Sequence, residues 1–173
     1  MHRTRVVVRG AVVGALMFQA PTMLAQESAT KTQAALATAL AAKHIALETA
    51  LANATAKGRP ISAKYEVEDG KLQLSVYTEK AGEFFEVIIN HHTGKIAKTE
   101  KIGEGDDLNN AKAQSAAMAK TKQSLKTTVA KVLGANAGYS AVSAMPTLKD
   151  GKPSAEVTLL KGHDFKSVSE PLM

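Results

Sequence analysis

Five histidines and no cysteine set the chemistry open to this 173-residue chain. Without a thiol there is no disulfide, no thiolate metal site, no thioredoxin-type redox pair and no cysteine nucleophile. His2 lies in the extreme N-terminal stretch, which leaves His44, His91, His92 and His163. The adjacent pair His91-His92 invites a metal. Neighbours on a strand point to opposite faces and chelate poorly, so exposed turn residues are the expectation. His44 stands at the edge of a helical stripe, where a partly buried or helix-breaking histidine fits better than a ligand. Glu104, Asp106 and Asp107 lack the alternating oxygen ligands and closing glutamate of a calcium loop. They suit the start of a helix, whose dipole favours negative charge. No His-Glu-x-x-His run, Gly-x-Ser-x-Gly elbow or phosphate-binding glycine loop occurs, and Ser28 and Ser62 have no recognisable base neighbour. The expectation is a non-enzyme with no cofactor and no metal.

Charge points the same way. The chain has 22 Lys+Arg against 16 Asp+Glu, a net charge of +6. Three of the basic residues, Arg3, Arg5 and Arg9, precede the apolar run GAVVGALMFQA at 10–20, with no acid among them. A basic segment followed by an apolar run too short to span a bilayer reads as a secretory signal peptide. Residues 1–25 are assigned to it, with cleavage expected after Ala25. The mature chain then carries +3, its lysines interleaved with acids and flanked by few aromatics. Stacking on nucleic-acid bases is therefore not expected. No later stretch is apolar for long enough to cross a membrane, so an exported protein, periplasmic or secreted, is expected. Lacking cysteine in an oxidising compartment, it must be held by packing alone.

The elements that must position these residues appear when the chain is compared with itself. A shift of 81 places Ser62-Ala63 on Ser143-Ala144 and Asp69-Gly70-Lys71 on Asp150-Gly151-Lys152. It also aligns Val76, Lys80, Phe84 and Val87 with Val157, Lys161, Phe165 and Val168, giving 9 identities over the 29 positions 61–89. Unrelated chains of average composition share roughly two. The chain reads as a tandem duplication: residues 26–102 as the first unit, 103–110 as linker, and 111–173 as a degenerate second unit.

Each unit opens with an Ala-rich helical stretch and closes with strands. Leu36, Leu40, Leu47, Leu51 and Ala54 form one stripe, with Ile45 on the opposite side; either one buried helix or a break near Lys43-His44 satisfies that pattern. Met118, Leu125, Val129 and Val132 form the second stripe, preceded by Asp106, Asp107 and Asn110 as capping and dipole residues and ended by Gly134 and Gly138. In the first unit Ile61, Ala63, Tyr65 and Val67 alternate with polar neighbours, and Asp69-Gly70 turns the chain into Leu72-Leu74-Val76. Ala81-Gly82 and Thr93-Gly94 mark two more reversals, for about four strands. The second unit stops before counterparts of the Thr-Gly turn and the last strand. Phe84 and Val87 are three apart, which a regular strand sends to opposite faces. Either both faces are covered or a bulge realigns them. Units of about 70 residues without disulfides are marginal alone, so a shared core or a continuous sheet is expected.

The run Ile45 to Leu51, strand Ile61 to Val67, Asp69-Gly70-Lys71, strand Glu83 to Asn90 and turn His91-His92-Thr93-Gly94-Lys95-Ile96 together resemble the PepSY domain. Asn90 stands where that family usually has an acid. The resemblance covers roughly 45–100, with 124–170 as a degenerate copy, and the whole is similar to small exported PepSY proteins of Gram-negative bacteria. It implies an α+β fold of two tandem helix-plus-antiparallel-sheet units packed into one body, similar to the duplicated unit of the beta-lactamase inhibitory protein. It also implies a non-catalytic module that binds, and restrains or inhibits, a periplasmic or secreted protease or another envelope protein. Tyr65, Tyr77, Phe84 and Phe85 are the candidate partner-binding residues, since aromatics commonly anchor such contacts; each is also a candidate core residue. The alternative is an envelope carrier of a small ligand or metal, using a groove between helix and sheet or the histidine turn.

Overall fold

The computed structural model describes residues 23–42 and 44–172, and of residues 23–30 the backbone alone. Most of the expected signal segment 1–25, and Lys43, lie outside the described residues. The element order is α1 (Met23–Leu40), α2 (Leu47–Ala54), a 3-10 turn (Thr55–Lys57), β1 (Arg59–Glu68), β2 (Lys71–Lys80), β3 (Glu83–Ile89) and β4 (Ile96–Ile102). Then follow α3 (Gly105–Met118), α4 (Leu125–Gly134), β5 (Ser140–Lys149), β6 (Lys152–Lys161) and β7 (Asp164–Pro171). The class is α+β. All strands join one antiparallel sheet in the order β4-β3-β2-β1-β5-β6-β7.

Local chemistry explains the hairpins. Asp69 and Gly70 have φ of 48° and 74°, and Asp150 and Gly151 have 51° and 75°. Two successive left-handed residues make the tight turn whose twist matches paired strands, and Asp-Gly adopts it cheaply. Bulges recur at matching positions: the register slips between Pro60 and Ser62 on β1 and between Ala141 and Ser143 on β5. At the centre, Ala63 pairs with Ala144, its counterpart 81 residues on.

The helices divide between the two faces of the sheet. Register puts Ala63, Tyr65, Leu74, Val76, Phe85, Val87 and Ile89 on one side, where the Tyr65 hydroxyl donates to Ile45 O (2.6 Å) just before α2. The other side carries Ser62, Lys64, Tyr77, Phe84 and Met145. There α3 lies down: the Ser62 hydroxyl donates to Gln114 Oε1 (2.6 Å), and Gln114 Nε2 approaches Met145 Sδ (3.7 Å). Phe84 and Val87 therefore do face opposite ways, and both faces are covered; the β2–β3 register is unbroken between them. One core holds Leu47, Leu51, Ile61, Val76 and Val87 together with Leu125, Val129, Val157 and Leu159.

One alternative is decided and two expectations change in detail. Of the two forms offered for the first stripe the broken one holds, because the backbone of Ile45 is taken from both sides: its N–H donates to His91 O (2.8 Å) and its carbonyl accepts from Tyr65. The second stripe is not one helix either. Met118 closes α3, whereas Leu125 opens α4, with Ser124 as N-cap accepting from Thr127 N (3.1 Å). Residues 105–110, expected as linker, form the first turns of α3. Asp106 and Asp107 lie in its first turn, where the dipole favours them, but the capping position is Glu104, without a side-chain bond.

Candidate functional site

The four aromatics proposed as anchors are not brought together. Tyr65 and Phe85 face one side of the sheet, Tyr77 and Phe84 the other. Tyr65 is 3% exposed and Phe84 8%, so both are core residues that cannot meet a partner in this conformation. Burial pushes the pKa of the Tyr65 hydroxyl well up, which keeps it a neutral donor to Ile45 O. Tyr77 is half-buried and donates to Glu86 Oε1 (3.3 Å), with Lys64 Nζ 5.8 Å from its ring. Its pKa is raised by burial first and by the Glu86 carboxylate second. Phe85 is half-buried. Sequence alone identifies such residues as apolar anchors but not which side of a sheet is already covered.

The turn that carried the resemblance is a structural device. Asn90 Oδ1 accepts from His92 N (3.0 Å) and Thr93 N (2.9 Å), the role an aspartate would take in the same place. Gly94, at φ 75°, donates to Asn90 O (2.8 Å) and accepts from Asn53 Nδ2 (2.8 Å), tying the turn to α2. The histidines sit in that turn and not on a strand, so the expectation of opposite directions fails: the two rings lie 4.1 Å apart. His44 joins this corner, edge-on to Tyr65 at 5.3 Å. Burial, then the neighbouring His92 and His44, holds the pKa of His91 below the ordinary value. Among the described residues no group of three or more His, Asp or Glu is placed to hold a metal ion. No described helix is long and apolar enough to cross a membrane.

A groove between helix and sheet is expected from the sequence without a place for it; two grooves occupy matching places. One, of about 480 Å³, is lined by the end of α1 and the α1–α2 connection (Leu40, His44, Ile45), by Leu133 of α4 and by Tyr139 and Ala141 beyond it. The other, of about 230 Å³, is lined by the end of α3 and the α3–α4 connection (Met118, Thr121, Ser124), by Leu51 of α2 and by Thr55 and Pro60 beyond it. In each, a helix of one half meets the helical connection of the other. Arg59 clamps the second groove by donating to Met118 O (3.2 Å) and Glu79 Oε2 (3.3 Å). The 81-residue shift was the only signal that could have paired them.

The segment containing α2, the four-strand meander and the Asn90–Gly94 turn has a counterpart among known families. Residues 33–100 match PepSY, described as the peptidase propeptide and YPEB domain. The PepSY segment thus runs from late α1 into β4 and contains the histidine corner. PepSY domains are typically non-catalytic, propeptide-like or inhibitor-like modules. Among curated proteins and solved structures, neither comparison returns a match for the chain.

Proposed function

We propose that this protein is an exported, non-catalytic PepSY protein that binds another protein of the cell envelope and restrains a protease there. The observation that carries the reading is the PepSY match over residues 33–100, a family described by its peptidase propeptides. Family likeness supplies a class of partner and not its identity. Export rests on the basic and apolar pattern of residues 1–25.

A tandem origin belongs to the same reading. It is supported by the 81-residue identities, the bulges at Ile61 and Val142, the matching Asp-Gly turns and the central Ala63–Ala144 pair. We read residues 26–102 as the first unit, 103–110 as the linker and 111–173 as a degenerate second unit, similar in plan to the duplicated beta-lactamase inhibitory protein. In this arrangement Tyr77 and Phe85, half-buried on opposite sides, stay as candidate contacts, whereas Tyr65 and Phe84 support them from the core.

The test is direct. Purified mature chain, incubated with secreted and periplasmic proteases of the source cell, should slow at least one in a saturable way and be recovered crosslinked to it. Unchanged hydrolysis across the panel, with no crosslinked partner, overturns the reading.

A further inference from the structure

The sheet has two outer edges among the described residues, β4 and β7, and they differ in kind. β4 covers β3, pairing Ile102 with Phe84 and Thr99 with Val87. It turns out a charged row: Lys98, Glu100 and Lys101 are exposed, Lys98 pairing with Glu100 (2.7 Å) and Lys101 with Glu83. On β4 the Lys98 and Glu100 charges are thus satisfied within the strand, and no half-buried residue lies at its middle; β7 carries Asp164, Lys166 and Glu170 too, but around a half-buried Val168. On β7 no strand of the described residues covers Phe165 and Val168, which align with Phe84 and Val87 at the 81-residue shift, and both are half-buried.

The free groups of β7 follow from one hydrogen bond. Leu172 N–H donates to Pro153 O (3.0 Å), and the β6–β7 register is unbroken. Leu172 therefore turns inward, as do residues 164, 166, 168 and 170; in an antiparallel ladder these alternate with residues turned outward. Phe165, Ser167 and Ser169 thus direct N–H and C=O away from β6. Pro171, which has no N–H to give, falls on the outward side, where it costs the β6 ladder nothing.

We propose that β7 is a homodimer interface: two copies pair β7 with β7, antiparallel, about a two-fold axis through Val168. Side-chain order selects this partner. Reading Lys166-Ser167-Val168-Ser169-Glu170 against itself sets Lys166 opposite Glu170 twice, Ser167 opposite Ser169 and Val168 opposite Val168. The ion pairs and the valine pair fall on the non-hydrogen-bonded positions, where side chains approach most closely. A slip by two residues one way sets Asp164 opposite Glu170, a like-charge pair, and the other way sets Val168 opposite Glu170 and Ser167 opposite Pro171, which has no N–H to give, so one register is singled out. Glu170 already pairs with Lys131 and Lys166 with Asn136 Oδ1 (2.7 Å), which holds both near the face they would present. The interface is isologous and closes at two copies, while the charged β4 edges face outward and end the sheet. It does not depend on a protease partner.

Sedimentation velocity on the mature chain, from low micromolar to near-millimolar concentration, is expected to show a monomer–dimer equilibrium. K166E or E170K alone should raise the dimer dissociation constant about tenfold or more, since each turns two attractive pairs into two repulsive ones. Combining K166E with E170K should restore it to within about threefold. Ser169→Pro removes an outward N–H without touching the β6 ladder and should abolish the dimer, with circular dichroism and melting showing the monomer still folded. A chain monomeric throughout the range overturns the proposal. So does a dimer indifferent to the charge swaps and to Ser169→Pro, which would place self-association on another face, or a monomer that takes up a foreign extended peptide along β7.

Discussion

β3 and β7 hold equivalent places in the two halves, with the same Phe-x-x-Val pattern, yet they live in different surroundings. Phe84 and Val87 are sealed, at 8% and 0% exposure, between β4 and the helices. Phe165 and Val168 lie on a rim, half open to solvent. The side chains being identical, the difference is made by the neighbouring strand. An apolar residue stabilises in proportion to the surface it removes from water, so the same phenylalanine contributes unequally in the two places.

The largest effect expected from this contrast is in core truncation. Phe84→Ala should cost about 3 kcal/mol and Phe165→Ala about 1 kcal/mol or less, measured by urea unfolding of dilute protein. Equal costs would break the comparison. Next is Gly94→Ala, in the turn that leads into β4: at φ 75° an added Cβ is strained and would stand 3.1 Å from Asn53 Nδ2, so about 2 kcal/mol should be lost.

The hairpins that deliver β3 and β7 sharpen the comparison further. Ala81 has a φ of 53°, a left-handed conformation costly for alanine, whereas its counterpart Gly162, at φ 62°, adopts it freely. Ala81→Gly should stabilise by about 1 kcal/mol and Gly162→Ala destabilise by a similar amount, both visible in thermal melts. If Gly162→Ala is neutral, the β6–β7 turn relaxes in a way its counterpart cannot.

The smallest effect is pH dependence at the histidine corner, which has no counterpart beside β7. Because the folded protein holds the pKa of His91 below its ordinary value of 6.5, the neutral ring is the form the fold prefers. The unfolded chain then binds more protons than the folded one as pH drops. This contribution is complete above pH about 6.5 and is lost as pH falls through that value towards the lower folded pKa. Melting temperatures at mildly acid and neutral pH should therefore differ less in His91→Gln than in the parent.

How much of this was legible beforehand follows from the range of each interaction. The Asp69-Gly70 and Asp150-Gly151 turns could be read because a tight turn is decided by the two residues that make it. The alternatives at Phe84 and Val87 could be posed, since strand parity is local, but choosing between them required knowing that helices lie on both faces. The break near Ile45 could likewise be posed, because Ile45 falls off the stripe, but choosing it depended on His91 O and the Tyr65 hydroxyl, distant in the chain. Tyr65 and Phe84 were nominated as anchors because residue type indicates affinity for apolar surroundings and not whether a partner or the core supplies them. The rim at β7 was half visible: self-comparison aligned Phe165 and Val168 with Phe84 and Val87, but which N–H groups point outward had to come from the ladder.

Amide hydrogen exchange tests the contrast between the two edges most directly. Lys80 and Glu83 close a two-residue hairpin on β3, so Phe84, Glu86 and Ile88 direct their N–H groups to β4, as Phe165, Ser167 and Ser169 direct theirs outward from β7. In dilute protein the first three amides should be protected and the second three should exchange close to the rate of free chain. At high concentration the β7 amides should slow as dimers form, with those of β3 unchanged. Equal protection of both sets when dilute, or β7 amides that stay fast at every concentration, would contradict the account.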